Sequence, residues 1–270
     1  MKKVEELDLE SFIYSIQNNI SDKICTSLSL ISRKGFRDYE SVKEFIPYVK
    51  ELLNNQSDVI LEKVLWTLGQ VGCHAPFLVN DCIDKIEPLM KHPSTKVRCN
   101  AVWCLGRIGR NDAEVAKKEV KKIMEIVNDE MPEVRMNVIW AAENIAVNNP
   151  ELFTDYFSVF LKLLDDSDTQ YVRREAPEIF RVLGKRKVYV PESIPKLEKM
   201  AESDEDRVVR IHSAGALKLQ KTGEKIWEII IKQLDWNLMN INQLQQWKLF
   251  QVLGYLVTVY LLQKTEVTFQ

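Results

Sequence analysis

The sequence predicts an all-α protein, a right-handed α-α superhelix of about six helical hairpins. Trp66, Trp103 and Trp140 recur at intervals of 37 residues, within the related segments LEKVLWTLGQVG, RCNAVWCLGRIG and RMNVIWAAENIA. Such a spacing exceeds the length of one helix or strand and therefore indicates an internal repeat. No segment of useful length has the alternating pattern of a strand.

The second helix of each repeat begins at an apolar residue. These residues are spaced by 37, 37, 38 and 37 positions: Ile60, Val97, Val134, Val172 and Val209. Further small or apolar residues follow about four and eight positions later, so they return to one side of an α-helix. The pattern predicts helices whose apolar stripe packs against neighbouring repeats.

First helices are expected over roughly 41–53, 77–90, 113–128, 151–164, 190–202 and 224–234, and the first five of these precede the second helices named above. Short breaks rich in Ser, Asp and Asn separate the two helices and can cap the second one. We expect residues 1–270 to form a single solenoid. Its approximate repeats are 8–34, 41–72, 77–109, 113–147, 151–184 and 190–221, followed by capping helices over 224–262.

The segment from Ile86 to Gly109 resembles a HEAT repeat. It contains a proline in the first helix, a polar turn, a Val-Arg pair that opens the second helix and a closing Leu-Gly-x-Ile-Gly. Pro47, Pro88 and Pro195 occupy the proline position, and the resemblance extends over roughly 40–262. It implies a stack of helical hairpins in which each repeat buries its apolar face on its neighbours.

Composition favours a cytoplasmic protein. There are 37 basic and 39 acidic residues, a net charge of −2, which does not indicate nucleic-acid binding. The N-terminus is acidic and lacks the pattern of a signal peptide. The longest apolar stretch, 249–262, is shorter than the roughly 20 residues that cross a bilayer, so no membrane association is expected. The five cysteines are interpreted as reduced thiols.

Few residues suggest a catalytic, metal-binding or cofactor-binding site. Cys73, His74, Cys82 and His92 lack the tight paired spacing of a zinc site, so neither a metal nor a cofactor is expected. The glycines fall near the ends of second helices rather than in a phosphate-binding loop. No serine or cysteine nucleophile has a partner nearby in the sequence. We therefore expect a non-enzymatic protein.

The tryptophans share one predicted helix face with polar residues, and this face is expected to line a concave groove. Its members on the second helices are Trp66, Gln70, Asn100, Trp103, Arg107, Asn137, Trp140, Asn144, Glu175 and Glu178. Indole rings could hold aliphatic or cationic groups of a peptide, and amides could bond to its backbone. Alternatively, the tryptophans fill the space between neighbouring helices, or line a small-molecule site.

Trp140 and Asn144 are similar to the Trp-x-x-x-Asn array of armadillo nuclear-import receptors. That resemblance implies a protein or peptide partner held in the groove. Trp103 and Trp66 are followed instead by Arg107 and Gln70, a departure from the array. The sequence therefore predicts an interaction scaffold, without naming its partner.

Nucleic-acid binding or HEAT-like DNA repair is the alternative function. Arg98, Arg135, Arg173 and Arg210 could track phosphates. We favour pairing with acidic turns such as Asp129, Asp165 and Asp204, which would fix the register of the repeats. A buried carboxyl group beside an exposed tryptophan would favour the repair enzyme, whereas a mixed surface with exposed indoles would favour a protein partner.

The C-terminal segment is rich in aromatic residues: Trp227, Trp236, Trp247, Phe250, Tyr255 and Tyr260. The capping unit of a solenoid usually has a polar outer face. These rings are expected to pack against each other and the preceding repeat, or else to form a patch for a partner or a second copy. The oligomeric state is left open.

Overall fold

The computed structural model describes the backbone of residues 7–240 and the side chains of residues 7–223. The described part contains twelve α-helices and no strand. They are α1 (Leu9–Gln17), α2 (Ser21–Gly35), α3 (Ile46–Glu51), α4 (Asp58–Gly72), α5 (Ile83–Ile86), α6 (Thr95–Gly109), α7 (Ala113–Glu125), α8 (Pro132–Ala146), α9 (Phe157–Leu163), α10 (Arg174–Lys185), α11 (Ile194–Ser203) and α12 (Arg207–Asn240). The predicted all-α helical-repeat fold is confirmed.

The first helices of the repeats are mostly broken into short pieces. Short 3-10 segments flank or precede them, at Glu40–Phe45, Leu52–Asn54, Pro76–Leu78, Asn80–Cys82, Glu87–Lys91, Pro150–Tyr156 and Pro191–Ser193. The second helices α4, α6 and α8 are regular and 15 residues long. The face of the protein that carries the tryptophans is therefore built on its most regular elements.

The buried apolar residues form one hydrophobic cluster that extends from Phe12 on α1 to Ala216 on α12. The residues that open the second helices, among them Ile60, Val97 and Val134, are buried as predicted. Small residues allow these helices to approach closely. A Cβ atom added to Gly106 would lie 2.4 Å from the Cα atom of Ala141 on the next second helix.

Three of the four predicted arginine pairs are present, whereas Arg210 donates to the backbone carbonyls of Asp204 and Glu205. Arg98 donates to both carboxylate oxygens of Asp129 at 2.8 and 3.0 Å, and Arg173 pairs in the same way with Asp204. Arg135 pairs with Asp166, at 3.0 and 2.9 Å, rather than with its neighbour Asp165. Each of these bridges joins the start of one second helix to the turn of the next repeat.

We call the pairs Arg98–Asp129, Arg135–Asp166 and Arg173–Asp204 the arginine ladder. Their aspartates belong to a turn that the sequence analysis did not predict. One side chain in each inter-helix turn accepts a hydrogen bond from the backbone N–H two residues later. The acceptors are Asn55, His92, Asp129, Asp166 and Asp204. The three aspartates of this set are those that receive an arginine from the preceding repeat, so one carboxylate shapes the turn and fixes the register.

Lysines form a second set of bridges between first helices. Lys118 and Lys122 donate to Asp84 and Glu87 of the preceding repeat, at 2.6 and 2.5 Å. Lys117 pairs with Glu114 on its own helix. Three of the four lysines between positions 117 and 122 thus form ion pairs, which leaves little free positive charge on this helix for phosphate binding.

Helix α12 runs without interruption from Arg207 to Asn240, whereas the sequence pattern predicts a boundary between residues 221 and 224. The segment between the two expected helices has Gly223 as its only weak helix breaker, and it contains no proline. A single glycine costs about 1 kcal/mol relative to alanine, too little to end a helix. The compact unit that contains the described repeats ends at Lys221.

The aromatic residues expected to close the solenoid lie outside the part whose side chains the structure describes. Trp227 and Trp236 belong to the described backbone of α12, and Trp247, Phe250, Tyr255 and Tyr260 follow it. Their packing and their role as a cap or an interface stay predictions.

Candidate functional site

Two of the tryptophans form a stacked pair. The ring centroids of Trp66 and Trp103 are 4.3 Å apart, and the ring planes differ by 7°. Gly69 makes room for this arrangement, because a Cβ atom there would lie 2.5 Å from the Trp103 ring. Trp66 is 43% exposed, so the outer ring of the pair presents its surface to solvent.

Arg107 lies beside this pair. Its guanidinium carbon is 5.6 Å from the centroid of the Trp103 ring and 5.7 Å from that of Phe36, a geometry that permits cation–π attraction. Its Nε atom is buried without a hydrogen-bond partner, as is Oε1 of Gln70. Burial lowers the pKa of Arg107. Sequence reasoning missed Phe36, which lies outside the repeated pattern.

The third tryptophan lies among acidic residues. Trp140 donates its indole N–H to Glu175 at 3.2 Å. Glu178 is only 9% exposed and pairs with Arg181. Glu143 has a buried carboxylate oxygen without a hydrogen-bond partner. Burial, followed by the charges of Glu178 and Glu175, raises the pKa of Glu143 well above its usual range.

The predicted asparagines are mostly turned toward their own helices. The side-chain nitrogens of Asn100, Asn137 and Asn144 each donate to the carbonyl four residues earlier, at 2.8 Å. Asn137 is only 7% exposed, so it offers a partner almost no surface. One of the two N–H donors on each amide nitrogen is thus engaged by its own helix, and the binding role of these asparagines stays a prediction.

We call the surface formed by Trp66, Trp103, Arg107, Trp140 and Glu175 the tryptophan face. It carries exposed indole surface, one cation and one carboxylate, and the carboxyl groups of Glu143 and Glu178 belong to the same acidic cluster. Within residues 7–223, no group of three His, Cys, Asp or Glu side chains is placed to hold a metal ion. In the described helices, none is long and apolar enough to cross a membrane.

Comparison with known protein families gives a match to the family described as HEAT repeats. The match covers residues 83–178 and, in a second overlapping alignment, residues 120–218. Together these ranges span just over half of the chain. The chain belongs to the HEAT-repeat family. A comparison with curated proteins gives no match.

Solved structures with the same fold as this HEAT-repeat chain include designed proteins. One is a designed armadillo repeat protein in complex with the peptide (KR)4, with 19% identity, a TM-score of 0.61, and coverage of 79% of this chain and 99% of that one. Another is a set of computationally designed armadillo repeat proteins for modular peptide recognition, with 18% identity, a TM-score of 0.57, and coverage of 78% and 99%. At these identities the likeness shows the fold alone.

The buried carboxyl group in this HEAT-repeat protein predicts a pH-dependent stability difference. Because folding raises the pKa of Glu143, the folded protein holds a proton that the unfolded chain releases above pH 4.5. The contribution of Glu143 to stability therefore falls as pH rises from there through its folded pKa, by about 1.4 kcal/mol for each pH unit of that range. Glu143→Gln, which cannot ionise, is expected to gain stability relative to wild type over the same range.

Urea denaturation of both proteins between pH 4 and pH 9 measures this difference. Glu192→Gln is the matched control, because Glu192 is exposed, and its difference from wild type should stay constant with pH. A Glu143→Gln difference that is equally flat would show that this carboxyl group is not desolvated.

Proposed function

We propose that this HEAT-repeat chain is a non-enzymatic scaffold that holds an extended segment of a partner protein against the tryptophan face. The proposal takes this face as the concave wall of the solenoid. Rigid indole rings offer contact area at low entropic cost, and charged groups beside them fix the register of the bound segment. A cytoplasmic location is part of the proposal, supported by the five unpaired thiols.

The observation that carries the proposal is the clustering of unsatisfied polar atoms. Six buried side-chain polar atoms have no hydrogen-bond partner among the described residues, and four of them belong to the helices that carry the tryptophans. These four are Gln70 Oε1, Arg107 Nε, Glu133 Oε2 and Glu143 Oε1. Such atoms are rare in folded proteins, because each costs desolvation free energy. A bound segment that contacts them would recover part of that cost.

The exposed indole of Trp66 supports the same conclusion. A large aromatic ring that is 43% exposed and stacked on a second ring forms a preorganised contact surface. One of the designed proteins with the same fold was solved in complex with a peptide, (KR)4. Fold likeness alone does not establish function, so this parallel only adds to the case from the face itself.

A repair enzyme is the second candidate, and Glu143 favours it. A buried carboxyl group with a raised pKa, in the neighbourhood of a tryptophan, is suited to proton transfer. However, Glu175 and Glu178 belong to the same cluster, and their negative charge would repel a phosphate backbone. Fluorescence anisotropy with duplex DNA at low salt distinguishes the two, since the scaffold is expected to show no saturable binding.

Removal of the tryptophans is expected to abolish partner capture. We would immobilise wild type and the variant Trp66→Ala, Trp140→Ala and compare the proteins that each recovers from lysate. Each tryptophan should contribute about tenfold or more in affinity, typical of aromatic anchor residues. Circular dichroism and thermal unfolding first establish that the variant is folded.

Phe77→Ala is the matched control, because Phe77 is another exposed aromatic residue but lies on a first-helix segment. It should recover the same proteins as wild type. If the folded tryptophan variant recovers them equally well, the rings serve packing and the proposal fails.

A further inference from the structure

The charge of the tryptophan face changes sign along the stack of helices. On α6, Arg107 forms no ion pair with any described residue. Its neighbour Arg110 donates to Asn144 at 3.3 Å and has no carboxylate partner in the described structure. On α8 and α10, Glu143 and Glu175 form no ion pair with a described residue, although the charges of Arg181 and Arg174 act on Glu143 and Glu175, respectively. The end of the face at α6 is therefore cationic, and the end at α8 and α10 is anionic.

The cationic end is built to receive a carboxylate. The guanidinium carbon of Arg107 lies over the rings of Phe36 and Trp103, and the N–H donors of any guanidinium group lie in its own plane. A planar fork of this kind matches the two oxygens of a carboxylate. Because the group is partly desolvated and one of its donors has no partner, a carboxylate that reaches it would form a charge-assisted bond away from bulk water.

The anionic end is built to receive a cation. Three carboxyl groups, those of Glu143, Glu175 and Glu178, are offset by Arg181, which pairs with Glu178. His212 is also close, with its Nδ1 atom 3.9 Å from Glu178, whereas Arg174, adjacent to Glu175, pairs with Asp206. The unpartnered buried oxygen of Glu143 is a second, independent sign that a donor group is missing. An ammonium or guanidinium group would satisfy this oxygen and would also favour the charged form of Glu143, which burial and the charges of Glu178 and Glu175 disfavour in the free protein.

We propose that the tryptophan face binds one extended segment in a single direction, with an acidic side chain on Arg107 and a basic side chain on Glu143 and Glu175. This inference rests on the proposed function and specifies its ligand. Neighbouring helices pack about 8–10 Å apart, and an extended chain advances about 3.3 Å per residue. The acidic and basic residues should therefore be about three positions apart.

The test uses an array of acetylated, amidated twelve-residue peptides in a Gly-Ser-Ala background. Each carries one Glu and one Arg, separated by one to six positions and in both orders, beside Glu-only, Arg-only and all-basic peptides. The full chain, fluorescently labelled, is the probe. We expect one order near a separation of three to bind about tenfold more tightly than its reverse, a difference of about 1.4 kcal/mol.

Variants assign the two ends. Arg107→Gln should lose the preference for Glu and keep that for Arg, whereas the double variant Glu143→Gln, Glu175→Gln should do the reverse. Arg107→Lys keeps the charge without the fork and should lose most of the Glu preference. Arg186→Gln and Glu192→Gln, at exposed positions outside the face, should change neither.

Equal binding of both orders, or no peptide binding above background, overturns the inference. So does an all-basic peptide that binds wild type and Arg107→Gln equally and best of all. In each of these cases the proposed function survives if partner capture from lysate still requires Trp66 and Trp140. Loss of that requirement would instead overturn the proposed function.

Discussion

Replacement of Arg98 by alanine is expected to lower the free energy of unfolding by about 3–5 kcal/mol, because it breaks a nearly buried ion pair between repeats. Arg98 is 8% exposed and donates to both oxygens of Asp129. It also donates to the carbonyls of His92 and Pro93, each at 3.0 Å. The alanine variant would leave Asp129 as an uncompensated charge and two carbonyls without a donor.

Urea denaturation followed by circular dichroism measures this loss. Lys117→Ala is the control, because Lys117 forms an exposed ion pair with Glu114 on the same helix. Pairs of that kind contribute about 0–1 kcal/mol. A loss for Arg98→Ala that is as small as the control's would contradict the structural role of the arginine ladder.

Gly106→Ala is expected to lower the free energy of unfolding by about 3 kcal/mol, although alanine is normally the better helix residue. The added Cβ atom would lie 2.4 Å from the Cα atom and 2.6 Å from the Cβ atom of Ala141. Backbone cannot move aside as a flexible side chain can, so α6 and α8 would have to separate. Overpacking of this kind typically costs about 1–3 kcal/mol, and contact with backbone places it at the upper end.

Gly215→Ala provides a control of opposite sign. Gly215 also lies within a helix, α12, but the nearest atom to an added Cβ there is Arg181 Cδ at 3.6 Å, an ordinary contact. Alanine should therefore stabilise the protein by about 0.5–1 kcal/mol through the unfolded state. Thermal unfolding of the two variants tests the pair, and a stable Gly106→Ala variant would contradict the close approach of the two helices.

The 37-residue repeat predicted the features that follow from helical periodicity, namely the stacked tryptophans and the arginine ladder. The spacing of the tryptophans placed Trp66 and Trp103 at equivalent positions of neighbouring helices, where the structure stacks their rings. The Val-Arg pairs likewise predicted the arginine ladder. Both follow from helical periodicity repeated along the chain, which a single sequence displays directly.

Other features depend on choices that a sequence pattern does not specify. Asp165 and Asp166 are adjacent acids, and only the turn geometry shows that Asp166 receives the arginine. The asparagine side chains could point outward or bond to their own helix, and the sequence does not distinguish the two. The contact between Phe36 and Arg107 joins residues about two repeats apart.

One regularity could have been found in the sequence. Asn55, His92, Asp129, Asp166 and Asp204 recur with the period of the repeat. Position 61, one after the first anchor, is Leu rather than Arg, and the matching turn residue of the next repeat is His92 rather than Asp. An acid stands at this turn position where the preceding repeat supplies an arginine, which is the physical signature of the ladder.

The most direct test of the tryptophan face is a calorimetric titration of the recovered partner into wild type, the variant Trp66→Ala, Trp140→Ala, and Phe77→Ala. The proposal predicts that wild type and Phe77→Ala bind with equal affinity, and that the double variant, although folded, binds at least about a hundredfold more weakly. Equal affinity for all three proteins would contradict it and would place the binding surface elsewhere on the chain.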